Sequence, residues 1–473
     1  MRTYIKCLFL AMCVLALSCE SLVDGINEDP NKITADDLEP QLFLTGALLA
    51  NTIAQAGHLN RISGMYSGQL TGFTSLYSNI YGYSLSGAES VTSWSRIYVG
   101  TLPNVRQIVE RGGNDRLLTG IAKVVEAHAI GTAASLFGDV PYSEAVNAEI
   151  SDPSFDGQLA VFSDMQNLLD DAIADLSNAA SRPLSEDIHF NGDADKWLAT
   201  AYTLKARYYM YIRDYGNAYS AAQNGISSAD GTMFYSPRGD ANRSDGDKNL
   251  FWTILEGARA GDIGTGDSYL IQLLTDDSGV YRGNAKTDET ARLGYYIIDA
   301  GGGSLNSGII EQFEPQPLVS FGENTLILAE AGGRTQGFDT GLRHLNEHRA
   351  YLRAGGRLNA NFIDQPFMYE DYVMADFQNG GMENADNIDM TRALLREIVE
   401  ERYVEGFGMY MPYDDARRIR NSSGDNDLVV PFPFNTGTAT AHPERMPYSF
   451  DELNTNENAP AEPGIFIRTP VNQ

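Results

Sequence analysis

The residues best placed by type and spacing to do chemistry are His344, Glu347 and His348, in the run His344-Leu345-Asn346-Glu347-His348. Two histidines at i and i+4 share one face of a helix and could hold zinc, with Glu347 as general base of a metallopeptidase. A third ligand would be needed, and Glu397 or Glu401 are the candidates. Five-residue patterns arise by chance, so this reading is the minor one. Gly264-Thr265-Gly266 has no phosphate-binding lysine after it and no clear strand before it, so it fails as a nucleotide loop. Paired carboxylates such as Asp170-Asp171, Asp276-Asp277 and Asp414-Asp415 are plentiful. None is singled out as the pair that a glycosidase must set across a sugar ring. Asp425-x-Asp427 and Asp245-x-Asp247 could hold a structural calcium. Asn27-x-Asp29-x-Asn31 could not serve as an EF-hand, because Lys32 stands where that loop needs Gly and Leu38 where it needs Glu. Glu397, Arg402, Asp415, Arg417 and Arg418 read as structural, since arginine forks pair bidentately with carboxylates and could tie the last helix to the coil after it. No catalytic residue and no cofactor is expected.

A different chemistry sits at the N-terminus. Arg2 and Lys6 precede the apolar run Cys7 to Leu17, then Ser18 and Cys19. The run is too short for a membrane-spanning helix of roughly 20 residues. It reads as a secretory signal peptide over 1–18. Cys7 and Cys13 leave with it, so Cys19 is the sole thiol expected in the exported chain and no disulfide can form. The site resembles a bacterial lipobox, in which such a cysteine is acylated and becomes the new N-terminus. The net charge of -29 repels nucleic acid and anionic headgroups. No second long apolar run exists, so the lipid is the expected anchor, with 19–40 as an acidic tether.

The elements that must carry any site are mostly helical. A first helix is expected from Leu38 or Gln41 to Gln55, capped by Asp37. Apolar residues recur at helical spacing in Arg116 to Phe137, Gln158 to Leu176, Asp193 to Asp214 and Asn217 to Ile226. Alternating large and small apolar faces, paired every 34 to 45 residues or so, suggest TPR-like stacking. Helices return at Glu323 to Ala331, Thr340 to Leu352 and Thr391 to Glu405, and coil is expected from Asn421 onward. Between them, about 61–100 and 227–322 read as loop-rich, with one short helix at Ser268 to Leu274 and a strand at Tyr295 to Ile298. The chain has 25 Tyr against 3 Trp, and the first loop region is dense in tyrosine among Ser, Gly and Thr. A tyrosine offers a flat apolar face with a polar tip, which suits stacking on a sugar ring.

Several stretches, taken in order, resemble the SusD/RagB family of nutrient-binding outer-membrane lipoproteins of Bacteroidota. They are Phe137 to Ala145; Thr325 to Ala331 with Gly341 and Leu345 to Arg349; Glu397 to Arg402 with Glu405-Gly406 and Asp415 to Arg418; and Pro447-Tyr448, Glu452 and Asn454 to Asn458. Gly332-Gly333 departs from the family, which usually continues its helix there. The resemblance implies a mainly α, TPR-like helical-pair scaffold over 41–473 with a loop-rich ligand face. It implies no catalysis, a place on the cell exterior, and partnership with a SusC-type TonB-dependent transporter. The expected ligand is an oligo- or polysaccharide, with a peptide as the alternative. The expected contacts are Tyr66, Gln69, Tyr77, Tyr81 and Tyr83 from the first loop region, with Trp252 and Tyr295 from the later one. So acidic a chain disfavours anionic glycans at long range, although Arg61 or Arg96 could offset that locally.

Overall fold

Asp115 shows how the scaffold is set up locally. Its carboxylate accepts from the Leu118 N–H at 3.2 Å and so satisfies an orphan donor at the start of a 22-residue helix. A computed structural model describes residues 38–243, 246–255, 257, 259–301 and 306–473. The leader, Cys19, Asp37 and Asp245 lie outside the described residues.

A short 3-10 turn leads into α1 (Leu44–Ala56), and α2 (His58–Tyr66) follows after Gly57 alone. A Cβ on Gly57 would run into the Ile53 carbonyl, so glycine lets the two helices break without a loop. Next come α3 (Ser75–Tyr81) and α4 (Val91–Ser95), the latter continuing through a π turn into α5 (Leu102–Arg111). Pro103 at the start of α5 has no N–H to give, which suits a change of ladder there. Then come the two longest helices, α6 (Arg116–Phe137) and α7 (Gln158–Leu176), and the pair α8 (Ala194–Tyr211) and α9 (Tyr215–Ala222). Asp193 and Asp214 cap α8 and α9.

The later part holds α10 (Leu250–Leu255), α11 (Tyr269–Leu274), α12 (Thr290–Tyr296), α13 (Phe321–Thr335) and α14 (Phe338–Arg353). It ends with α15 (Met374–Phe377), α16 (Met390–Glu405), α17 (Met411–Arg420) and α18 (Phe450–Thr455). Strands occur only as two-stranded antiparallel pairs among the described residues. One of them, Thr71–Gly72 against Ile263–Gly264, draws the first irregular region onto the second.

Helices α6 and α7, α8 and α9, and α13 and α14 pack as consecutive pairs, so the fold is mainly α and built from helical pairs as expected. One apolar core runs from Leu44 on α1 to Tyr448 in the C-terminal tail. Two smaller clusters fill the α13–α14–α16 and α8–α9–α13 junctions.

Three expectations are corrected. Much of 61–100 is helical rather than loop, because α2 and α3 bury Ile62, Met65, Tyr66, Tyr77 and Ile80. Such short helices are marginal alone and rest on tertiary packing. Tyr295-Tyr296 ends α12 instead of opening a strand. Gly332-Gly333 lies inside α13, which runs on to Thr335. Each interior glycine costs about 1 kcal/mol against alanine. The close crossing of α14 offsets that cost, since a Cβ on Gly341 would come 2.9 Å from the Gly333 Cα. The tail is largely coil but is strapped down: Met446 N–H donates to the Leu136 carbonyl at 2.8 Å, and Val471 N–H to Gln158 Oε1 at 2.9 Å.

Candidate functional site

A cleft of about 500 Å³ opens where the N-terminal helices meet the 250–259 segment. That lies within the range of small-molecule sites. Four other internal cavities hold only 10 to 20 Å³, room for about one water. Ile53, Leu76, Ala88, Leu250 and Ile254 give the cleft apolar walls, and His58, Arg61, Tyr77, Glu89, Thr92, Thr253 and Arg259 give it polar ones.

His58 and Arg61 share a face of α2 because they stand at i and i+3. Both reach the Tyr77 hydroxyl on α3. Arg61 Nε–H donates to it at 2.9 Å, and His58 Nδ1 lies 3.2 Å away. The hydroxyl accepts from Arg61 and shares a second hydrogen bond with His58 Nδ1. Burial, with the Arg61 and Arg259 charges adding to it, pushes the His58 pKa down to about 4, so the ring is neutral at pH 7. The Arg61 guanidinium also lies 5.6 Å from the Phe251 ring centroid. Glu89 is held by its own turn, accepting from Ser86 Oγ at 2.7 Å. Arg259 Nη1 is 3.5 Å from Asp262. The site therefore offers two guanidinium groups, an imidazole and hydroxyls between apolar walls, which suits a ligand rich in acceptors.

Of the seven residues expected to contact ligand, only Tyr77 borders this cleft, and its ring too is buried, at 2% exposure, so it supports the wall through its hydroxyl and offers no open face for stacking. Tyr66 is buried and packs edge-on against Tyr83 at 5.5 Å, so its ring offers no free face. Gln69 is buried with Nε2–H donating to the Tyr403 carbonyl at 2.6 Å. Tyr295 is buried with its hydroxyl on Glu314 at 2.8 Å. For these three the expectation of a ligand-facing side chain is corrected: the rings and amide complete the core. Tyr81 and Tyr83 are half-buried beside the cleft residues but do not line it. Trp252 is half-buried on α10, with Lys248 Nζ 5.9 Å from its ring centroid. His58 and Arg259 were not anticipated; the spacing of His58 and Arg61 on one helix was the available signal.

Residues 30–354 match a family model of SusD-like proteins described as starch-binding and associating with the outer membrane. The chain belongs to the SusD-like family. A SusD/RagB family protein from Bacteroides thetaiotaomicron is similar in structure, with a TM-score of 0.66, 21% identity, and 89% of this chain and 95% of that one covered. A chitin-binding protein gives 0.61 and 21% over 89% and 94%. A chitin-binding SusD homologue from Flavobacterium johnsoniae gives 0.64 and 16% over 92% and 97%. No curated protein matches this sequence.

In this SusD-like chain the zinc-like motif is occupied by other bonds. His344 Nδ1–H donates to Glu347 Oε2 at 2.6 Å, and Arg343 donates to its Nε2 at 2.8 Å, so neither nitrogen is left for a metal. His348 Nε2 instead meets Glu401 at 3.0 Å. His348, Glu401 and Glu405 do converge, yet Glu401 already takes Arg282 at 2.7 Å and Arg292 at 2.8 Å. Cations also fill the proposed calcium position: Asp425 pairs with Arg334 at 3.0 Å and Arg392 at 3.1 Å, and Asp427 pairs with Arg392 as well.

The C-terminal charge motif is a buried network. Glu330 pairs with Arg334, Arg402 and Arg418 at 3.0, 3.2 and 2.7 Å. Asp415 joins Arg402 to Arg418, and Asp414 takes Arg417. Burial opposes ionisation of Glu330, but the three guanidinium groups overcome it and hold its carboxyl well below the usual range. Glu397 belongs to a second cluster around Arg282, not with Arg402. Among the described residues no helix is long and apolar enough to cross a membrane.

Proposed function

We propose that this SusD-like protein captures a glycan in the cleft beside Tyr77 at the outer-membrane surface. From there it passes the glycan to a SusC-type TonB-dependent transporter. The observation that carries the reading is the cleft itself: about 500 Å³, apolar walls and convergent polar side chains, in a chain of a starch-binding family. The likeness to chitin-binding proteins of the same fold supports a sugar over other nutrients. Acylation of Cys19 would hold the body at the surface, and no catalytic role is assigned to any residue.

Affinity electrophoresis against a polysaccharide panel, with calorimetry against oligosaccharides and peptides, tests the reading. Glycan binding that falls several-fold in Tyr77→Ala is expected, since the buried ring carries the hydroxyl that holds His58 and Arg61 in the cleft wall. Binding of peptides alone, or glycan binding indifferent to Tyr77→Ala, overturns it. Palmitate labelling that is lost in Cys19→Ala checks the anchor.

A further inference from the structure

Arg61 stands apart from the other buried arginines of the described chain. Arg207, Arg282, Arg292, Arg402, Arg417 and Arg418 each have a carboxylate within ion-pair distance. Arg349 and Arg445 have none but donate to backbone carbonyls, Arg349 to Glu370 and Lys286 and Arg445 to Phe137. Arg61 is 5% exposed, yet it has neither kind of partner. Its Nε is taken by the Tyr77 hydroxyl and its face by Phe251, its terminal nitrogens make no hydrogen bond, and the side chain lines the cleft. A guanidinium removed from water without an anion is costly. Among the buried arginines of the described residues, Arg61 alone meets this cost without a backbone carbonyl to lessen it, and it stands in the wall of the cavity described above.

Resting on the glycan-binding reading above, we propose that the cleft selects an acidic sugar. Arg61 and Arg259 grip an oxyanion substituent, carboxylate or sulfate, of the glycan unit beside Tyr77. The guanidinium fork matches the two oxygens of such a group bidentately. Arg259 supplies a second cation from the 250–259 wall, held loosely by Asp262 at 3.5 Å. His58 adds a neutral imidazole to the lining. Glu89 is the one carboxylate in the lining, and it lies beyond ion-pair distance of both arginines. The overall charge of -29 does not forbid this. At physiological salt the screening length is about 8 Å, so distant carboxylates are muted while the cleft cations act at contact.

The test is a glycan array holding neutral, uronate-containing and sulfated oligosaccharides, followed by calorimetry on the hits. Wild type, Arg61→Gln and Arg259→Gln are compared, with thermal melts recorded for each. Acidic members are expected to bind about tenfold or more tightly than neutral members of matched length, the scale of one charge-assisted bidentate pair. Arg61→Gln should abolish that preference by lowering the affinity for acidic members about tenfold, and the uronate and sulfate arms report which oxyanion is meant. Arg259→Gln, at a partly exposed side chain, keeps the idea testable should Arg61→Gln fold poorly. Equal binding of neutral and acidic members, or an acidic preference that survives in Arg259→Gln and in a folded Arg61→Gln, overturns the inference and leaves glycan capture standing. An array with no hits overturns glycan capture and the inference with it.

Discussion

Two regions of the molecule treat buried arginine in opposite ways. At the α13–α16–α17 junction Glu330 gathers three guanidinium groups, and Asp415 bridges two of them. At the cleft, Arg61 meets only a phenol and a phenyl ring. A buried ion pair is strongly destabilised by removing one partner, because the other charge is left uncompensated. A guanidinium that already lacks its anion has no such pair to lose. The carboxylate-paired network is therefore a device for holding helices together, even with Arg334 Nη2 and Arg402 Nη1 unpartnered, and the arginine without an anion is free to serve something that arrives from outside.

The sharpest way to break this contrast is Glu330→Ala. It should lower unfolding free energy by ~3–5 kcal/mol in denaturant titration, whereas Arg61→Gln should cost no more than ~1 kcal/mol, the scale of a single hydrogen bond. A loss at Arg61 as large as that at Glu330 would make both regions structural.

Acid titration sharpens the same contrast. The Glu330 pKa is held below its unfolded value of roughly 4.3, so its contribution is present above that pH and is lost as pH falls through the folded value. Glu401 behaves likewise: burial opposes its charge, but Arg292, Arg282 and His348 prevail. Glu397 runs the other way, with burial and the neighbouring Glu383 raising its pKa, so its contribution is present at low pH and lost as pH rises. Denaturant midpoints at pH 7 and pH 4 should fall for wild type and fall less for Glu330→Gln. In the cleft, His58 should titrate near 4 by NMR, with its signal assigned by loss in His58→Asn.

Tyr77→Phe should have a smaller effect. It keeps the ring but frees Arg61 Nε and His58 Nδ1, and it should weaken glycan binding by ~0.5–1.5 kcal/mol, the net value of a hydrogen bond. Least of all, Trp252→Ala should change affinity by less than about twofold, since the ring lies outside the cleft and losses there stay within the few tenths of a kcal/mol usual for remote surface changes.

The long amphipathic helices were legible in the sequence to the residue, as at Arg116–Phe137 and Gln158–Leu176. There the apolar period runs for five or six turns, and in the first case an aspartate cap and a glycine stop bracket it. The tyrosine-rich stretch was not legible, because α2 and α3 are only 9 and 7 residues long and rest on contacts with distant chain. Four apolar residues, Tyr295 to Ile298, cannot tell a strand from a helix end. The family was legible from short matches in order, and so was the pairing role of Arg402, Asp415 and Arg418. The cleft was not, because it joins residues 53–61, 76–92 and 250–259, which come together only in the folded chain.

The two buried ion-pair clusters also bear on timing. Arg282 finds Glu397 115 residues later, and Arg418 reaches back 88 residues to Glu330. A chain delivered from its N-terminus therefore exposes half of each pair well before the other half exists. Contacts of such long range are reached slowly, since loop closure comes before any reward. The closing step of folding is thus assigned to α16 and α17. A chain ending before Met390 would hold the cleft residues in full and still lack the counter-charges that lock the body beneath them.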